Sequence, residues 1–141
     1  MIKHLYTLCT AGLILLAIPA GTQVLINELQ ASNSTTIADP DQGEYSDWLE
    51  LYNASPTPAD LSGWRLSDSG DNTEWSIPDG TTLPSHTYLL IWADGSGTGL
   101  HTSFGLSADG EELTLYNKTG NAVDQITFDA QQTDKSFGRQ T

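Results

Sequence analysis

Four carboxylates fall close together in one polar stretch: Asp39, Asp41, Glu44 and Asp47, with Glu50 just beyond. Clustered side-chain oxygens of this kind suit a hard cation such as calcium, which is held by oxygen ligands. Asp39, Asp41, Asp47 and Glu50 occupy positions 1, 3, 9 and 12 of a twelve-residue window, which is the spacing of a calcium loop. The match breaks at Gly43, where a ligand belongs, and at Glu44, where a glycine would make the turn. Asp39, Asp41, Glu44 and Asp47 are the candidate metal ligands, with calcium the candidate cation. The simpler reading is a solvated loop whose charge keeps the domain soluble.

Catalysis by carboxylates needs two of them converging on one substrate atom. A strand points alternate residues to opposite faces, so Asp47 and Glu50 diverge. Nucleophilic catalysis fares no better. Past the leader there are two histidines, His86 and His101, without a Gly-x-Ser-x-Gly elbow, and both read as surface-loop residues. An enzymatic reading would need Glu44, Asp47 or His101 in a loop-built site, and the sequence assigns no catalytic residue. No zinc spacing and no phosphate-binding glycine loop occurs.

A different chemistry is recognition by aromatic faces. Parity gives Leu49 and Leu51 to the core and places Trp48, Glu50 and Tyr52 on the opposite face. Together with Trp75 they form the candidate surface for a partner or a sugar, where an aromatic ring offers a flat apolar platform. The competing reading is packing, which must account for most of four tryptophans in so small a domain. Trp92, after Leu89-Leu90-Ile91, reads as core.

The elements that would position these residues are short strands. No helical stripe runs through residues 24–139. Alternating runs appear at 24–30, 47–53, 61–67, 75–77, 87–93, 111–117 and 122–128, separated by Gly, Pro, Asn, Asp and Ser clusters. Gly120 in the 117–121 turn predicts a hairpin between the last two runs. Asn33–Gly43 is a long polar connection, the best candidate for a functional loop. The fold class is all-β, a sandwich of short, mostly antiparallel strands.

Of the 141 residues, the first twenty form a separate segment. Lys3 and His4 precede an apolar run, then small residues follow, as in a secretory signal helix cleaved after Ala20 or after Thr22. The run is short for a ~20-residue membrane span, so no span is expected once it is removed. Cys9, the one cysteine, leaves with it, and the remaining domain has neither disulfide nor thiol chemistry. Removing Lys3 leaves 4 basic against 18 acidic residues, a net charge near −14. Such a surface repels phosphate backbones and excludes direct nucleic-acid binding. The expected location is secreted or cell-surface, as a lone domain or the leading module of a longer protein.

The blocks "LINELQASN", "GEYSDWLELYN", "DLSGWRLSD", "LSADGEELTLYNKTGNAVDQITF" and "SFGR" occur in an order that resembles the lamin tail domain, in its bacterial exported form. They span Val24 to Arg139. The resemblance implies an immunoglobulin-like β-sandwich without catalytic residues. It implies a core of Leu25, Leu49, Leu51, Leu61, Leu66, Leu89, Ile91, Leu113, Leu115, Ile126 and Phe128, with Trp64 beside it. Asn27, Glu28, Asp47, Glu50 and Asn53 match the family's polar positions. The rod, nuclear import signal and lipidation tail of nuclear lamins are missing from this sequence, so filament assembly and chromatin binding do not transfer. The function implied is a non-catalytic exported module for protein interaction or cell-surface attachment. The alternative is a carbohydrate-binding module with an aromatic platform and a calcium-ordered acidic loop.

Overall fold

The computed structural model describes residues 24–71 and 74–139. The expected signal segment, 1–20, lies outside the described residues. Ten strands follow in order: β1 (Val24–Gln30), β2 (Asp47–Asn53), β3 (Ala59–Asp60), β4 (Arg65–Ser67), β5 (Trp75–Ser76), β6 (Thr82–Leu83), β7 (Tyr88–Ala93), β8 (Gly110–Tyr116), β9 (Ala122–Asp129) and β10 (Phe137–Gly138). One four-stranded sheet has the order β10-β1-β2-β7 and a second has β5-β4-β8-β9, with the small β3-β6 pair between chain segments. The ladders between these strands are antiparallel.

The alternation in the sequence becomes the two-layer core. Leu49, Leu51 and Ile91 from the first sheet are fully buried, as are Leu66, Leu113 and Leu115 from the second. Ile126, Phe128, Leu61, Ile77 and Leu83 belong to the same cluster. Each buried leucine contributes about 2 kcal/mol from removal of its apolar surface from water. Leu89 and Trp64 pack against this cluster while partly exposed.

Two assignments shift. Leu25 pairs with Tyr52, whereas Ile26 pairs with the inward Leu51. Ile26, fully buried, is therefore the core residue, and Leu25 turns to the other face. A bulge between Ile26 and Glu28 explains how Ile26 and Leu29 both point inward at a spacing of three. Trp92 is buried but lies outside the core cluster, since it pairs with Trp48 on the outer face of β2.

The turns follow from their residues. Gly120 adopts a φ of 86°, and the Asn117 side chain accepts hydrogen bonds from the Thr119 and Asn121 backbone, closing the β8–β9 hairpin. Asn53 ends β2 by donating from Nδ2 to the Leu83 and Thr57 carbonyls while its Oδ1 accepts from Ser55 N–H. The chain's last described strand, β10, adds to the outer edge of β1. Arg139 follows it and donates from Nε to the Ile26 carbonyl at 2.9 Å. Its Nη2 reaches both Asp124 oxygens, at 2.7 and 2.9 Å, and Asp124 also accepts from Ile26 N–H. This latch ties β1 to β9 across the sandwich.

Candidate functional site

The long 31–46 connection is held by Asn33. Its Nδ2 donates to the Ile37 and Ser46 carbonyls, and its backbone N–H donates to Asp47 Oδ1 at 3.0 Å. The loop then lies over the outer face of the first sheet. There Gln30 Oε1 accepts from Trp48 Nε1 at 3.0 Å and from the Thr36 hydroxyl at 2.8 Å. Trp48 is thereby buried, although parity correctly places it opposite Leu49.

Within the loop, residues 39–44 close on themselves. Asp39 N–H donates to the Glu44 carbonyl and Gly43 N–H to the Asp39 carbonyl, with Gly43 at a φ of 74°. Asp39 Oδ1 accepts from Asp41 N–H at 2.8 Å. Asp39 Oδ2 is buried and has no hydrogen-bond partner.

The opposing wall is the glycine-rich loop after β7. Gly95, Gly97 and Gly99 all take positive φ, which lets a five-residue excursion return to the strand. Trp92 N–H donates to the Leu100 carbonyl and Thr102 N–H to the Trp92 carbonyl, so residues 100–102 add to the open edge of β7. His101 is fixed between these two bonds. It is buried, contrary to the surface-loop expectation, because the acidic loop covers it. Its Nδ1 lies 2.8 Å from Asp94 Oδ2 and 3.8 Å from Asp39 Oδ2, and its Nε2 lies 3.5 Å from Asp41 Oδ2. Gln42 Nε2 also donates to Asp94 Oδ2, a second tie between the loops.

Burial alone would lower the pKa of His101. The hydrogen bonds to Asp94 and Asp41 and the charges of Asp94 and Asp39 outweigh it, and the imidazole is held above its ordinary value. Burial likewise pushes Asp94 up, but hydrogen bonds from Ser96 and His101 leave it below the usual carboxylate range.

The four sequence-derived ligands are therefore divided. One ligand atom each from Asp39, Asp41 and His101 lies within 4.8 Å of the others, the group among the described residues that could share an ion. Glu44 contributes its carbonyl to the turn, and its side chain is exposed. Asp47 is occupied by Asn33; burial pushes its carboxyl up against the lowering effect of that hydrogen bond. The sequence reading did not group His101 or Asp94 with the acidic loop. The signal was present in Asp94-Gly-Ser-Gly-Thr-Gly-Leu-His101, a carboxylate and an imidazole bracketing a glycine loop.

The aromatic candidates also separate. Trp75 belongs to the core cluster and pairs through Leu66, so it offers no surface. Trp48 is 5% exposed. Tyr52 is half-buried and stacks on Tyr88 with ring centroids 4.7 Å apart. Tyr88, 55% exposed, was not singled out by sequence, because nothing local distinguishes it from an edge-strand residue. Glu50 stands beside them and accepts from Asn27 Nδ2 at 2.9 Å.

Two antiparallel sheets around one apolar core, with function left to loops and an outer face, define an immunoglobulin-like domain. A model of the Lamin Tail Domain family matches residues 18–130, and the chain belongs to that family. Its members are immunoglobulin-like domains that are generally involved in protein interaction and typically non-catalytic. No individually curated protein matches the sequence. Strand β10 and Arg139 lie beyond the matched span, so the latch joins a residue outside that span to Ile26 and Asp124 within it. Among the described residues no helix is long and apolar enough to cross a membrane.

Proposed function

We propose that this chain is an exported, non-catalytic module that mediates protein interaction or attachment to a cell surface. The signal-like leader supports export. The family supports a binding role. The observation that carries a binding face is the Tyr52–Tyr88 stack on the outer side of the first sheet, open to solvent next to Glu50. Stacked tyrosines give an apolar face with polar rims at low entropic cost, which suits a protein partner.

A carbohydrate-binding reading would use the same pair. It has lost Trp48 and Trp75 as platform members, since both are buried, and the pair alone favours the protein reading.

The test is retention of the labelled chain on cells of the producing organism. Wild type should be retained, Y52A/Y88A should not, and protease treatment of the cells should abolish retention. Loss of retention on polysaccharide digestion instead would favour the carbohydrate reading. Equal retention of wild type and the double variant would refute this face as the binding surface.

A further inference from the structure

The cluster at the end of the acidic loop is out of electrostatic balance. Asp39, Asp41 and Asp94 surround a single imidazole. No lysine or arginine among the described residues pairs with any of the three. Counting three carboxylates against one imidazolium leaves −2 even when His101 is charged.

Two observations point to what completes it. The first is the buried Asp39, 0% exposed, whose Oδ2 faces His101 without a hydrogen-bond partner. Leaving a buried carboxylate oxygen unpartnered is costly, and native structures rarely do so without an ion or water. The second is the orientation of His101. Nδ1 sits at hydrogen-bond distance from Asp94, so in the neutral ring it carries the proton and Nε2 turns its lone pair toward Asp41 Oδ2, 3.5 Å away. Two acceptors then face each other, and a positive species must lie between or beside them. A second proton on His101 would satisfy Nε2 and Asp41 but would leave Asp39 Oδ2 where it is. A cation serves both.

We propose that Asp39, Asp41 and His101 bind one divalent transition-metal ion of the zinc type. The donor set decides the class. An imidazole with two carboxylates suits zinc-like ions, while calcium takes oxygen ligands almost entirely. Asp94 is the outer partner that fixes the imidazole, the carboxylate–histidine–metal arrangement. Ligand atoms around such an ion sit about 3.4 Å apart at metal–ligand distances near 2.1 Å. The present spread of up to 4.8 Å therefore has to contract. Asp41, whose side chain is 77% exposed, is free to make that movement and also gives the ion its entry path. The bound ion staples the 31–46 loop to the glycine-rich loop and thereby holds the cover over Trp48. This inference is independent of what the tyrosine face binds.

The experiment is calorimetric titration of the full chain, after chelation and dialysis, with zinc chloride and in parallel with calcium chloride. One zinc per chain is expected, with calcium binding far weaker. D94N should weaken zinc about 10–100-fold, the range for outer-shell partners, and D39N and H101N should weaken it further. D39N preserves the turn, because its remaining Oδ1 still accepts from Asp41 N–H, so a folded variant is available for the comparison. In the folded wild type, the His101 Nε2 nitrogen resonance should move on zinc addition. Absence of zinc binding, zinc binding indifferent to D39N and H101N, or calcium binding as tight as zinc would each overturn the proposal.

Discussion

The two ends of β1 handle buried charge in opposite ways. At its start, Asp124 meets Arg139 one to one: Ile26 N–H and Arg139 Nη2 donate to Asp124, and Arg139 Nε donates to the Ile26 carbonyl. Beyond its far end, Asp39, Asp41 and Asp94 share one imidazole, and a buried oxygen of Asp39 is left over. The first arrangement is complete as protein alone. The second is what a ligand site looks like before its ligand arrives. A closed charge network stabilises the sandwich, while an open one stores a demand that a cation can meet.

A third acidic group shows a further solution. Asp68 is pushed up to about 6, first by burial, then by its hydrogen bond to Glu74 and the charges of Glu74 and Glu111. Glu74 goes the other way: burial raises it, but hydrogen bonds from Ser67, Asp68 and Ser69 win. Here a shared proton does what the guanidinium does at the latch.

The largest effect should come from opening the closed end. D124N removes the counter-charge of a partly buried arginine and should cost about 2–3 kcal/mol, below the fully buried range because Arg139 is partly solvated. Denaturant unfolding should show an unchanged slope with a lower midpoint. N33A, which frees the Ile37 and Ser46 carbonyls at the loop end, should cost about 1–2 kcal/mol. It should also weaken zinc binding, because the loop presenting Asp39 is no longer preset.

The smallest effect concerns the proton-sharing pair. The folded state holds the Asp68 proton up to about 6, whereas the unfolded chain releases it near 3.8. This contribution is full below the lower value and lost as pH rises through the upper one. D68N should therefore gain on wild type as pH rises from 4 to 6 and stay ahead above it, by about 1 kcal/mol or less after solvent screening. Thermal melts across that interval measure it, and a constant difference would count against the shared proton.

How much of this was readable in advance differs between the two ends. The strand bounds Val24–Gln30 and Asp47–Asn53 follow from alternation, and the structure reproduces them. The sandwich and most of its core follow from the same period. Ile26 was missed in favour of Leu25 because a bulge shifts the period by one, and a bulge leaves no mark in the pattern. Strand β10 was missed because two residues carry no alternation at all. Parity told which face Trp48 occupies, but it cannot tell that a loop lies across that face. Asp39 and Asp41 were visible as candidates. Their partnership with His101 was not, since His101 stands sixty residues from Asp41 and only the addition of residues 100–102 to the β7 edge brings it in.

The contrast between the ends is tested most directly by one matched measurement: equilibrium unfolding of wild type, D124N and D39N in chelator, in mildly alkaline buffer. Both variants exchange a carboxylate for its isosteric amide. D124N should lose stability, whereas D39N should be unchanged or gain about 1 kcal/mol, since an uncompensated buried charge is removed. A D39N loss as large as that of D124N would show that Asp39 is already satisfied by the protein, and the contrast would fail.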